Sequence, residues 1–143
     1  MKHILSLCVA ALLGVMACSA DTYCRDMSQL PATIQKEVKA NFKSNFVVAK
    51  IENKASGKEY EIKLADGTEI KYENNQWEEV DMPKGMAVPA VYVPAAINNY
   101  VAANCPGQSI RKIDKDRKGY EVKLSNGKEL KFDTAGSFLK YDR

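Results

Sequence analysis

The stretch YEIKLADGTEIKY at 60–72 returns sixty positions later as YEVKLSNGKELKF at 120–132. No other feature narrows the fold as far, because a segment written twice is a structural unit made twice. The likeness spreads outward from these two stretches. LPATIQKEVKANF at 30–42 answers VPAAINNYVAANC at 93–105, Ile51 answers Ile113, and the segment at Trp77 answers the one at Phe138. The repeated unit spans roughly fifty residues, too few to bury a comfortable core alone, so two copies that share an interface are expected to make one stable domain.

Inside each copy the apolar period changes once. Ile34, Val38 and Phe42, like Ile97, Val101 and Cys105, stand at i, i+4 and i+8, which places them on one face of a helix. Pro31 and Pro94 suit a first turn, where a missing N–H costs nothing, and Pro106 with Gly107 ends the second helix. Beyond the helix the period is two. Tyr60, Ile62 and Leu64 alternate with Glu61 and Lys63, and Ile70 and Tyr72 with Glu69 and Lys71, the signature of a half-buried antiparallel hairpin.

The turn decides the register. A two-residue Asp66–Gly67 turn would set Leu64 against Glu69, an apolar residue and a charge on one face. A three-residue Ala65, Asp66, Gly67 loop, with glycine in the left-handed position, removes the conflict. Ile62 then faces Ile70 and Tyr60 faces Tyr72, while Lys63 faces Glu69 and Glu61 faces Lys71 on the other side. The second copy, looped by Ser125, Asn126 and Gly127, gives Val122 with Leu130, Tyr120 with Phe132, Lys123 with Glu129 and Glu121 with Lys131. Exposed cross-strand ion pairs contribute only about 0.2–1 kcal/mol each, so they specify register more than they hold the fold.

One strand before each hairpin and one after it complete the unit. The sequence therefore predicts an α+β fold of two tandem helix-plus-four-stranded antiparallel units, whose sheets stay separate or run on as one eight-stranded curved sheet with the helices on one face. The chain divides into a leader at 1–20, an N-terminal extension at 21–29, a first repeat at 30–82, a strap at 83–92 rich in apolar residues, and a second repeat at 93–143. Strict alternation in the last strands points Trp77 and Phe138 inward and Val80, Leu139 and Tyr141 outward, unless a bulge reverses the order.

The leader opens with Met1, Lys2 and His3 ahead of an apolar run at 4–17, too short for a mature membrane span, and reads as an export signal. Two processings fit it: cleavage after Ala20, or lipoprotein processing with a lipid on Cys18. Either removes His3, the one histidine, and with it the chemistry of Ser-His and Cys-His catalysis and of histidine-bound zinc. Cys24 and Cys105 remain as a disulfide in an oxidising compartment, or as two separate thiols. Charges alternate in sign along the chain, a pattern expected to attract neither nucleic acid nor an anionic membrane.

The proline-started helices, the Tyr-Glu-Ile/Val-Lys-Leu strand, the Asp/Asn-Gly loop, the Glu-Ile/Leu-Lys-Tyr/Phe strand and the closing aromatic together resemble the PepSY-like, beta-lactamase-inhibitor-like family of exported bacterial proteins over about 30–143. The resemblance implies α/β units whose sheets join into one curved sheet, and an open face that in inhibitor relatives grips a partner protein. It supplies no catalytic residue and no cofactor. Some relatives are described as calcium-regulated. Here Asp114, Asp116 and Gly119 match positions one, three and six of a calcium loop, but Lys118 and Ser125 stand where position five and the bidentate glutamate at twelve belong, so a plain hairpin turn is expected.

Taken together these features point to an exported, non-catalytic module that binds a protein or peptide in the cell envelope and inhibits a peptidase or other hydrolase. The candidate contact residues are Glu61, Lys63, Glu69, Lys71, Glu121, Lys123, Glu129, Lys131, Leu139 and Tyr141. The alternative is an envelope scaffold or ligand carrier, lipid-anchored at Cys18 or calcium-responsive. Carboxylate pairs could hydrolyse glycosides, but lysines opposite the strand glutamates hold them ionised and unsuited to donating a proton.

Overall fold

The computed structural model describes residues 22–142; the leader, its cleavage site and Cys18 lie outside them. The elements are β1 (Thr22–Cys24), a 3-10 turn (Met27–Gln29), α1 (Ala32–Asn41), β2 (Phe46–Lys54), β3 (Gly57–Leu64), β4 (Glu69–Glu73), β5 (Gln76–Asp81), a second 3-10 turn (Ala90–Tyr92), α2 (Ala95–Asn104), β6 (Ile110–Asp116), β7 (Gly119–Leu124), β8 (Glu129–Phe132) and β9 (Phe138–Tyr141). All nine strands form one antiparallel sheet in chain order. The sheets of the two repeats are therefore continuous. The ninth strand is β1, from the extension, which pairs Cys24 with Ala49 on β2 and corrects the expected eight.

Both hairpins adopt the expected register. Tyr60 pairs with Tyr72, Glu61 with Lys71, Ile62 with Ile70 and Lys63 with Glu69, and the second copy repeats this residue for residue. The loops have the three-residue form: the Leu64 N–H donates to the Thr68 carbonyl at 2.9 Å, and Gly67 sits at φ +100°, where a β-carbon would strain the turn. Pro31 and Pro94 are N-caps, one residue ahead of the first helical turn.

The repeats meet where β5 pairs with β6: Glu79 with Asp114, Val80 with Ile113 and Asp81 with Lys112. Val80 faces inward, fully buried beside Ile113. The expectation that it faces outward fails because a bulge opposite Lys71 and Tyr72 inserts one extra residue into β5 and turns Val80 to the side of Ile70. An unbroken apolar row now crosses the molecule through Cys24, Ala49, Ile62, Ile70, Val80, Ile113, Val122 and Leu130, each at most 5% exposed.

Both helices cover this face. Ile34 and Val38 of α1 and Ile97 and Val101 of α2 join one core cluster with the sheet. The Tyr72 hydroxyl donates to Glu37 of α1, and Tyr100 of α2 meets Phe132 edge-on at 5.6 Å. The strap is packed as its composition predicts. Tyr92 stacks on Phe42 at 5.7 Å and meets Trp77 edge-on at 5.2 Å, while Val88 donates its N–H to the Ile110 carbonyl at 2.8 Å. Lys115 of the second repeat lies over the Trp77 ring of the first at 4.2 Å, a cation–π contact across the join.

Gly57 and Gly119 occupy matching turns, both with strongly positive φ, but their surroundings differ. A β-carbon on Gly119 would fall 2.1 Å from the Phe132 carbonyl oxygen, whereas on Gly57 the obstacle is the Asn74 side chain. Side chains can rotate and a strand backbone cannot. Gly119→Ala is expected to destabilise by about 2 kcal/mol or more and Gly57→Ala by clearly less, as read from urea unfolding midpoints; equal losses would show that the close approach at Gly119 is unimportant.

Candidate functional site

With the helices on one face, the other face of the sheet is left to charged side chains. Period-two alternation that turns Ile62, Val80 and Val122 inward must turn their neighbours outward. Reading register across all nine strands, one outer row runs Tyr23, Lys50, Glu61, Lys71, Glu79, Asp114, Glu121, Lys131 and Lys140. A second runs Lys63, Glu69, Asp81, Lys112, Lys123 and Glu129. Eight of the ten residues expected to make contact with a partner lie in these two rows.

Within the hairpins the charges compensate. Lys71 is 3.4 Å from Glu61, and Lys131 is 3.7 Å from Glu121 and 3.5 Å from Asp142. Lys63 opposite Glu69 and Lys123 opposite Glu129 close no ion pair among the described residues.

At the join three acids share two lysines, Lys112 and Lys131. Glu79, Asp114 and Glu121 stand side by side on β5, β6 and β7, with Lys112 at 3.6 Å from Glu79 and 3.9 Å from Asp114. Burial, and then a hydrogen bond shared with Glu79, push the Asp114 carboxyl up to about 7 against the pull of Lys112. Burial and a hydrogen bond with Asp142 raise Glu121 as well. The glutamates here still meet lysines, Glu79 with Lys112 and Glu121 with Lys131; Asp114, which no hairpin pairs with a lysine, is the acid in excess.

A second acidic group gathers beyond the first hairpin, where Glu59, Glu73 and Glu78 bring carboxylate oxygens within 4.8 Å of one another. Lys54 neutralises it in part, donating to Glu59 at 2.8 Å. The segment that partly matches a calcium loop is an ordinary hairpin turn, in which Asp116 Oδ1 accepts from the N–H groups of Lys118 and Gly119 at 2.7 and 3.2 Å.

The two rows hold carboxylates and lysines in equal number, and a third row, Glu52, Glu59 and Glu73, tips the open face to acid, although the chain has 21 basic and 18 acidic residues. Charges that alternate in sequence are thus partitioned in space, and Lys36, Lys39 and Lys43 lie at or just beyond α1 on the opposite side. Beside the join is an open depression of about 290 Å³, bounded by Asp114, Asp116, Lys118, Glu121, Lys131 and the exposed Leu139.

One expected placement is corrected, and one of two open readings is decided. Tyr141 turns to the helix side, opposite Leu130 and 5.0 Å from Phe138, because a second bulge sits between Lys131 and Phe132; Leu139 faces outward as expected. Cys24 and Cys105 are free thiols. Cys24 lies on edge strand β1 and Cys105 beside Tyr141 of edge strand β9. Eight inter-strand steps of about 4.8 Å separate those edges, far beyond the roughly 7 Å between Cα atoms that a disulfide tolerates.

The family model described as "Putative beta-lactamase-inhibitor-like, PepSY-like" matches residues 21–76 and 58–140. The chain belongs to the PepSY-like family. Three solved structures share this PepSY-like fold. One, from Bacteroides vulgatus ATCC 8482 and described as a "putative periplasmic protein of unknown function", is 35% identical with a TM-score of 0.81 over 87% of this chain and 100% of its own. Another from that organism, described as a "putative periplasmic protein", is 36% identical, with a TM-score of 0.79 over 87% and 98%. A third, from Bacteroides thetaiotaomicron and described as a "putative calcium-regulated periplasmic protein", is 38% identical, with a TM-score of 0.78 over 86% and 97%. Among curated proteins none matches. No helix among the described residues is long and apolar enough to cross a membrane.

The join makes stability depend on pH. Folded Asp114 keeps its proton up to about pH 7, whereas in the unfolded chain an aspartate releases it near 4. Between those values the folded state holds the extra proton, so this group's stabilising contribution is complete below about pH 4 and is lost as pH rises through about 7. Urea midpoints are expected to fall between pH 5 and pH 8 in the native protein, and to change less in Asp114→Asn, which is the more stable of the two at pH 8. Parallel slopes in the two proteins would contradict the assignment.

Proposed function

We propose that this PepSY-like protein is a non-catalytic periplasmic binding module that grips a protein or peptide with the open face of its sheet, in the manner of an inhibitor of a peptidase or other hydrolase. The observation that carries the reading is that, among the described residues, nine strands leave one face uncovered by any helix, and that face carries Lys63, Glu69, Lys123 and Glu129, which close no ion pair there, with exposed Leu139. A broad, rigid, polar surface with a few apolar side chains has the composition of a transient protein interface. The relatives described as periplasmic support the compartment.

The carrier alternative has less support. The depressions at Asp114 and at Phe42 are about 290 and 250 Å³ and lie open to solvent, whereas small-molecule sites enclose most of their ligand. Catalysis by a carboxylate pair also fits poorly, because Glu79 and Asp114 share a hydrogen bond and glycosidases hold their two carboxyl groups at least about 5 Å apart.

Photoreactive residues in place of Glu69, Lys123 and Leu139, and separately in place of Lys36 and Asn98 on the helices, test the face directly. Irradiation in a cell-envelope extract is expected to give one discrete adduct of higher mass from the three sheet positions and none from the helix positions. Adducts from the helices, or from neither set, would refute the proposal.

A further inference from the structure

The occupant of the open face can be narrowed by its electrostatics, an inference that rests on the binding-face reading above. We propose that the face is built for a cationic partner segment, one presenting lysine or arginine side chains, with the join between the repeats as its anchor point.

The net charge of +3 points to the opposite sign of partner. It is misleading because the sheet sorts charge by face: strands contribute the carboxylates of the open side, and the helix side and loops hold the surplus of basic residues. A partner feels the local field of the face it meets, not the net charge of the molecule. Along the main outer row the signs run from Lys50 through alternating pairs to three adjacent acids, Glu79, Asp114 and Glu121, before Lys131 and Lys140. The complementary surface is basic at its centre. The depression next to this centre is lined by Asp114, Asp116 and Glu121 against Lys118 and Lys131, with Leu139 beside them; its excess of carboxylates and its apolar side chain suit a long cationic side chain that lays its aliphatic stem on Leu139.

A second copy of the chain is a poor occupant. Any two-fold axis through the middle of the row sets the acids of β5, β6 and β7 against the same acids of the other copy, and like charges in register cost several kcal/mol. Nucleic acid and anionic membranes are repelled by the same carboxylates. An arriving cation also competes with the proton on Asp114, which is faced by Glu79 from β5, Glu121 from β7 and Lys112 from its own strand. Binding is therefore coupled to loss of that proton and strengthens as pH rises through neutrality.

The test uses the mature protein, octalysine and octaglutamate as probes, and amide NMR titration at low salt. Octalysine is expected to shift amides of β5 to β8 around Asp114, and octaglutamate to leave them in place. Glu79→Gln with Glu121→Gln should weaken octalysine binding at least fivefold. Asp26→Asn with Asp133→Asn removes the same two charges elsewhere, keeps both turn-capping oxygens, and should weaken it less than twofold. Affinity should rise at least threefold from pH 5.5 to 8. Equal losses in the two double variants, shifts spread over both faces, or octaglutamate on the sheet would each overturn the proposal. If photo-crosslinks form on the open face while octalysine leaves it undisturbed, the binding face stands and the cationic partner falls; crosslinks from the helices would remove the reading beneath it.

Discussion

Three residues of β5 hydrogen-bonded to three of β6 hold the architecture together. Without that short pairing β5 and β6 would each be an exposed sheet edge, and the apolar row would be cut in two. With it, Val80 and Ile113 close the row, and both disappear from solvent. Alternation makes the other consequence unavoidable. The register that sets Val80 against Ile113 sets Glu79 outward beside Asp114. Core continuity and the acidic centre of the open face are two sides of one pairing, and Asp114 holds its proton more tightly because the join buries it and then sets it against Glu79.

The hairpins were legible because each carries its own register information: apolar partners, opposite charges and a glycine loop all agree only when the loop has three residues. The join was not, since its partners lie in different repeats and no local turn links them. The bulges did leave a trace. Trp77 and Val80, and Phe138 and Tyr141, stand three apart in matching last strands, a spacing that period two cannot place on one face without an inserted residue. The three residues of β1 are too short for alternation to identify a strand, which is why the sheet gained one beyond the expected eight. Sorting of acids and bases by face needed the sheet itself, since residues of opposite sign that are neighbours along a strand register only once the rows are assembled. Eight of the ten candidate contact residues lie in the outer rows because they belong to the hairpins; Tyr141 lies beyond a bulge, and a count of thiols left two readings of the cysteines that only distance separates.

Duplication also explains how near-identical repeats acquire different surfaces. The last strand of the first repeat, β5, is sealed by β6, while its counterpart β9 is an edge with Lys140 and a bulge, features that discourage further strand addition. The strap adds the remaining asymmetry: Tyr92 is clamped between Phe42 and Trp77 of the first repeat, and Lys115 reaches back over Trp77 from the second. Contacts of this kind tie the halves on the helix side as the strand pairing does through the sheet.

The central claim is that the two repeats form one cooperative unit. Urea unfolding followed residue by residue by amide NMR tests it most directly. If the join is as tight as its packing indicates, the native signals of Ile62 in the first repeat and Val122 in the second vanish at one shared midpoint. Two separated midpoints would contradict the account.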